Sequence, residues 1–406
     1  MIAAAVTDPF QMGIYAWGFL AVSFIGSFSD YPMRICALQL TASTEGRRFL
    51  RRQTVVIGTA SFAVLVCALC AIPTITGAES QFKTFCSLAP MLAVPVAWSA
   101  SILPTIMLQI GGEWGRVSLA RAISAIVGSG VGIPIVLATR SIIGPCTAVA
   151  IAELVYVLLI RRSRPREEES LQFCPDSAHA KEVAEFWPTY RHMALYASFG
   201  WLQGSADRWL IGLWAGTGAL GIYSLGSAIG RSLGEVVAIS QEGVVRVDLH
   251  ARQARSDELI KQVLGRHLRA TLLLSLATGV ATIVFAELVF APILGPQWNV
   301  ALQLVPIFVL STLPLAIACQ SGPVHVQRGR SRIAAIAPGV CIAFAPLVGL
   351  AATHSLIAAT WVYLIRECFF AGIQVSLLGR ARPWLEVAAA AGIVTAGAAV
   401  LLSTGW

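Results

Sequence analysis

Apolar residues in this chain come in long unbroken runs separated by short polar stretches, with no period-two alternation. Twelve runs can be read, at about 11–28, 54–76, 84–110, 116–138, 141–160, 191–214, 218–241, 269–293, 299–320, 332–352, 355–378 and 384–404. Each is close to the roughly 20 residues a helix needs to cross the hydrocarbon core of a bilayer. In lipid, backbone N–H and C=O groups must find partners within their own segment, so such runs are helices. Strands of a membrane barrel would be shorter and alternating. The pattern predicts an all-α, polytopic membrane helix bundle. Pro90, Pro95, Pro104, Pro134, Pro306 and Pro338 fall within or beside runs and predict kinks. Gly128, Gly130 and Gly132 share the fourth run and predict a close helix approach.

Composition points the same way. The 406 residues are 56% hydrophobic and 12% charged, against about 25% charged in soluble domains. The formal charge is +8, carried almost wholly by Arg, since Lys83, Lys181 and Lys261 are the three Lys. In a membrane chain such an excess marks cytoplasmic connections, so no nucleic-acid partner is expected. The connections alternate strictly: 24 Arg and Lys fall on one side, and only Lys83 and Arg140 on the other. One missed or invented helix would scramble that alternation. It also starts the first run outside the cytoplasm, which predicts a helix missing ahead of it. The nine Cys show no zinc spacing and no disulfide framework, and Cys67 and Cys70 lie inside an apolar run. Neither a metal nor a cofactor is expected.

The chain repeats itself. Gly13-Ile14-Tyr15-Ala16-Trp17-Gly18 parallels Gly221-Ile222-Tyr223-Ser224-Leu225-Gly226, at an offset of 208 residues, near half the length. The matched runs are six apart, an even number, so the halves share one orientation. This predicts two parallel-repeat lobes with a cavity between them. The division expected is an N-terminal lobe of about five spans (1–160), a cytoplasmic linker (161–190), a C-terminal lobe of six spans (191–378) and an additional span (379–406). The linker carries an Arg cluster, then Glu167-Glu168-Glu169, His179 and Lys181, and reads as a solvated, topogenic connection.

Ionisable residues at membrane depth are costly and face a cavity or a partner. Asp207 and Arg208 lie in the sixth run. Arg231 and Glu235 lie in the seventh, four apart and on one face. Glu153 is in the fifth and Glu287 at the outer end of the eighth. Arg366 and Glu367 are mid-span in the eleventh, expected on different sides of the helix. Asp30 and Arg34 follow the first run. Each Arg–acid pair has a structural reading, holding helices in register. The functional reading makes Arg34, Asp207, Arg208, Arg231 and Arg366 line a cavity for a pyrophosphate, which guanidinium grips through its fork. Glu153, Glu235 and Glu367 are then the proton-coupling candidates. His325 and His354, near span ends, are expected to be loop histidines without a role.

Three stretches carry a family resemblance: Ser205-Ala206-Asp207-Arg208-Trp209-Leu210-Ile211-Gly212 with Gly216-Thr217-Gly218-Ala219-Leu220-Gly221-Ile222-Tyr223-Ser224-Leu225; Leu294-Gly295-Pro296-Gln297-Trp298; and Thr7-Asp8-Pro9-Phe10-Gln11-Met12-Gly13-Ile14-Tyr15. The first looks like the opening of the second lobe in lipid-linked oligosaccharide, O-antigen and exopolysaccharide flippases of the multidrug/oligosaccharidyl-lipid/polysaccharide superfamily. The third resembles their loop between the first and second helices, consistent with a missing first helix. The resemblance implies a multidrug-exporter-like fold. It implies a non-enzymatic transporter of the bacterial cytoplasmic membrane that flips a polyprenyl-pyrophosphate-linked oligosaccharide by alternating access. Its expected partners are that substrate, membrane lipids and other polysaccharide-assembly membrane proteins. The alternatives are a cation-coupled multidrug exporter of the same fold and a membrane polysaccharide polymerase or ligase. The second is disfavoured by short outer connections.

Overall fold

The computed structural model describes residues 2–40, 44–163, 176–252, 256–328 and 336–403. Among them all regular structure is helical. A short α1 (Ile2–Val6) precedes α2 (Pro9–Leu40), α3 (Thr44–Thr76), α4 (Gln81–Leu88), α5 (Ala93–Ile110), α6 (Trp114–Thr139) and α7 (Ile143–Arg162). There follow α8 (Asp176–Trp214), α9 (Thr217–Ala251), α10 (Asp257–Phe285), α11 (Ala291–Leu294) and α12 (Asn299–Gln327). The chain ends with α13 (Ile336–Ile342), α14 (Ala345–His354), α15 (Leu356–Leu377) and α16 (Trp384–Ser403). Of the expected linker, Arg164, Arg166 and Glu167-Glu168-Glu169 lie outside the described residues, as do Arg255, Arg330 and Arg332 of the charge pattern. From Asp176 onward the linker stretch is already helix α8.

Ten helical segments are long and apolar enough to cross a membrane, and they coincide with ten of the twelve expected runs. The protein is a multi-pass membrane protein. The other two runs, 191–214 and 218–241, lie in α8 and α9, which are long enough but less apolar. Asp207, Arg208 and Arg231, with several Gly and Ser, dilute them. Internal prolines break the line of the third run: α4 passes through a 3-10 turn (Ala89–Leu92) into α5. A π turn (Ala286–Phe290) between α10 and α11 leaves Glu287 exposed.

Packing divides the chain into two compact units, 2–202 and 203–406, with the division inside α8. In the first unit α2 packs on α3 and α5, α3 on α5, and α7 on α5 and α6. In the second, α9 packs on α10 and α12, α10 on α12, and α15 on α12, α13 and α14. The pairing order is the same, so the repeat is structural. Matched glycines confirm it locally. A Cβ at Gly18 would stand 2.8 Å from Leu88 Cδ2, and one at Gly226 would stand 2.7 Å from the Ala301 carbonyl. Gly18 on α2 meets the α4 end of the run 84–110, and Gly226 on α9 meets the start of α12, two apolar runs further along in each case.

Glycines also set the closest helix pairs. Gly226, Gly230 and Gly234 recur every fourth residue on α9 and face α12; an added Cβ at Gly230 would lie 2.8 Å from the Val305 carbonyl. Gly128 does the same for α6 on α7, 2.5 Å from the Ala148 carbonyl, and Gly132 joins it. Gly130, expected with them, has nothing within 4 Å, because a step of two places it on the opposite face. At Gly295, φ +76° and ψ 169° lie in a region open to glycine. The turn there swings Trp298 into a fully buried position. Outward, α3 exposes Val55, Val56 and Val64, and α10 exposes Leu273, Leu276 and Val280; such faces suit hydrocarbon rather than water.

Candidate functional site

The second unit holds a cluster of six charges, of which Arg366 and Glu367 lie midway along the candidate span Leu356–Leu377. Three are acidic, Asp207, Glu235 and Glu367, and three basic, Arg208, Arg231 and Arg366. Asp207, Arg366 and Glu367 are each 1% exposed. The Arg366 guanidinium donates from Nη2 to Glu367 Oε1 at 2.7 Å, and its Nη1 lies 3.9 Å from Asp207 Oδ2. Arg366 Cζ stands 4.2 Å above the Tyr363 ring. The same ring lies 5.0 Å from Arg231 Cζ, so one aromatic ring serves two cations. Arg231 in turn pairs with Glu235 at 2.5 Å, one turn along α9.

Asp207 and Arg208 are not a pair with each other. Tyr223 donates its hydroxyl to Asp207 Oδ2 at 3.0 Å, and Arg208 donates to Ser227 Oγ at 3.0 Å. Adjacent residues of α8 thus both tie to α9. Tyr223 and Tyr363 each pack edge-on against Phe308 of α12, which closes an aromatic wall around the cluster. The carboxylates and arginines are balanced in number, but hydrogen-bonding capacity is left over. Among the described residues, Asp207 Oδ1, Glu367 Oε2, Tyr363 Oη, Arg231 Nε and Arg366 Nε are buried with no hydrogen-bond partner. Unsatisfied groups of this kind are expensive in a low dielectric.

In the first unit, Arg34 forks onto Asp30 at 2.9 Å to both carboxylate oxygens and reaches Ser101 of α5 at 3.4 Å. Glu153 of α7 is held by Arg121 of α6 at 2.8 Å to each oxygen. Arg121 also stacks 3.6 Å over Tyr156, whose hydroxyl meets Thr105 Oγ1 at 3.0 Å.

The structure corrects further expectations besides the Asp207–Arg208 pairing. Arg366 and Glu367 do not diverge, because the long Arg side chain folds back onto its neighbour. Neither histidine is in a loop: His325 is buried in the last turn of α12 and His354 ends α14. Arg121, read only as a topogenic charge, is the partner of Glu153. The two tyrosines at the cluster's centre, Tyr223 and Tyr363, carry no charge, so the pattern of charged positions does not point to them. Tyr223 was visible only as the third residue of the repeated Gly-Ile-Tyr.

A sequence profile described as "Polysaccharide biosynthesis protein" matches residues 8–303. No curated protein sequence matches the chain. Among solved structures, an inward-facing multidrug resistance MATE family transporter of the MOP superfamily superposes with TM-score 0.67 at 14% identity, covering 98% of this chain and 94% of that one. The lipid II flippase MurJ, in an inward closed conformation, gives 0.68 at 12% identity, with 98% and 90% coverage. A MOP superfamily transporter from Pyrococcus furiosus, described as having a binding pocket of reversed polarity, gives 0.53 at 17% identity, with 98% and 88% coverage. At these identities the likeness is one of fold. With the profile match spanning most of the chain, this protein belongs to the polysaccharide biosynthesis protein family and has the helical fold of the MOP-superfamily transporters.

Proposed function

We propose that the chain carries a polyprenyl-pyrophosphate-linked oligosaccharide across the bacterial cytoplasmic membrane by alternating access, without covalent chemistry. The family supplies the pathway class, and the fold is that of exporters and a lipid flippase. The observation that supports the reading is the set of three arginines gathered in one cluster of 203–406. A polar, doubly charged headgroup cannot enter hydrocarbon unaided, and guanidinium forks match its phosphate oxygens.

The three arginines have different parts. Arg366 is fully buried and committed to Glu367, with Asp207 beyond it, so it positions the cluster. Arg208 uses one of the guanidinium's five N–H donors, on Ser227, and is partly exposed. Arg231 has one acidic partner and an unpaired Nε. Arg208 and Arg231 are the proposed pyrophosphate ligands, with Arg34 a further candidate in the first unit. Among the carboxylates, Glu235 is the proposed carrier of a coupled proton. Its side chain is 38% exposed and bonded to Arg231 alone, whereas Glu367 is sealed in and Glu153 is clasped by Arg121.

A cation-coupled drug exporter of the same fold is the second reading, favoured by the multidrug transporters among the fold relatives. The deciding experiment is export of lipid-linked sugar in cells, with membrane abundance measured in parallel. Arg208→Ala and Arg231→Ala should each abolish export at normal abundance. Normal export in both variants would remove the pyrophosphate-ligand assignment. Drug resistance conferred by the wild type, without sugar export, would favour the second reading.

A further inference from the structure

A second basic site lies far along the chain from this cluster. Between α3 and α5 a groove of about 930 Å³ opens, with Arg47, Arg48 and Arg51 of α3 and Arg161 of α7 at one end. Val55, Phe62 and Val96 line its length and are exposed. Gly58 forms its floor, where a Cβ would overlap the Ser99 hydroxyl of α5. The groove belongs wholly to the first unit.

Two features say what fits there. The first is charge. Among the described residues no acidic side chain lines the groove, and Arg48, Arg51 and Arg161 have no acidic partner. The N-terminal half of α10, the matching helix of the repeat, makes a useful contrast. Its groove of about 660 Å³ gathers Lys261, Arg266 and Arg269 but also Glu258 and Glu386, and Arg269 bonds Glu386 at 2.7 Å. There Glu258 and Glu386 answer part of the positive charge from within the protein; among the described residues, Arg48, Arg51 and Arg161 have no such carboxylate.

The second feature is length. All four arginines fall on the cytoplasmic side of the charge alternation, and Arg161 reaches the cluster from over a hundred residues away. From Arg51 to Phe62 the α3 axis rises about 16 Å, half of a hydrocarbon core of about 30 Å. Phosphate-binding groups thus cap an apolar channel one leaflet deep.

We propose that this groove binds one anionic phospholipid of the cytoplasmic leaflet, its phosphate on the arginines and an acyl chain along Val55, Phe62 and Val96. Such a lipid would brace α3 against α5. The site is separate from the proposed substrate cluster, and its test does not depend on transport.

The test is lipid retention by the purified full-length chain in non-ionic detergent, counted by native mass spectrometry during titration with phosphatidylglycerol, phosphatidylcholine or polyprenyl phosphate. The wild type should retain one phosphatidylglycerol in preference to phosphatidylcholine. R48Q/R51Q should weaken that retention by about 30-fold, at about fivefold per arginine. Arg269→Gln, in the self-neutralised groove, should leave it unchanged. Val96→Trp fills the channel without touching charge and should also displace the lipid, so a folding defect in the double variant would not leave the matter open. Equal retention of the two phospholipids, or wild-type retention in both R48Q/R51Q and Val96→Trp, would overturn the proposal. So would stronger retention of polyprenyl phosphate than of phosphatidylglycerol, which would make the groove a carrier-lipid site.

Discussion

Arg366 and Glu367 are neighbours in the chain and partners in space, joined at 2.7 Å with both side chains shut away from solvent. A bond between consecutive residues cannot hold two helices together. Its role is to neutralise Arg366 while the guanidinium's other side faces Asp207 on α8. Removing one member of such a buried set leaves the rest uncompensated, at a cost of about 3–5 kcal/mol. Arg366→Ala is therefore expected to lower the unfolding temperature in detergent sharply. Arg366→Met with Glu367→Gln, which removes both charges, should recover much of the loss. Equal damage from the single and double variants would show that Arg366 acts through packing alone.

Tyr223 offers a gentler probe of the same cluster. Tyr223→Phe deletes the hydroxyl that donates to Asp207 and leaves one more buried carboxylate oxygen without a partner. The expected loss is about 1–3 kcal/mol in stability, with the edge-on contact to Phe308 kept. Chemical denaturation of the two proteins side by side measures it, and an unchanged midpoint would contradict the assignment.

The close approach of α9 to α12 and of α6 to α7 predicts a position-dependent glycine scan. Gly230→Ala and Gly128→Ala force Cβ atoms against backbone carbonyls and should each cost about 1–3 kcal/mol. Gly130→Ala, one face away, should be neutral or stabilising by up to about 1 kcal/mol. Thermal unfolding of the three variants separates these outcomes. A destabilised Gly130→Ala alongside a neutral Gly128→Ala would reverse the facing of α6.

The fold was largely legible in the chain. Continuous apolar runs gave helices, and arginines from two connections far apart in the chain, Arg161 and Arg47, Arg48 and Arg51, line one groove. The Gly-Ile-Tyr repeat located equivalent helices down to Gly18 and Gly226. The site was legible only as a set of charged positions. Partner choice depends on the rotation of each helix and on the reach of long side chains, which spacing does not encode. Glu153 met Arg121 on another helix, Asp207 met Tyr223 rather than Arg208, and Arg366 curled back on Glu367. Gly226, Gly230 and Gly234 were also present as a four-residue spacing, but glycine is common in membrane helices and only the facing of α12 gives these three their meaning.

The division of labour among carboxylates predicts different responses to de-energisation. With Glu235 as coupling group, Glu235→Gln should make transport insensitive to a proton ionophore, at whatever rate remains. Glu153→Gln should stay sensitive and lose stability instead, because Arg121 is left without its carboxylate. Ionophore sensitivity in Glu235→Gln equal to the wild type would place coupling elsewhere.

Movement of a pyrophosphate-linked sugar lipid by way of the arginines of 203–406 is the proposed activity. Its most direct measurement is flipping of a fluorescent polyprenyl-pyrophosphate oligosaccharide in vesicles containing only the purified protein, read by the fraction accessible to an impermeant quencher. Wild type should expose the label across the bilayer over time, while Arg208→Ala and Arg231→Ala, reconstituted at equal density, should match empty vesicles. No flipping by folded wild-type protein, or equal flipping by both variants, would contradict it.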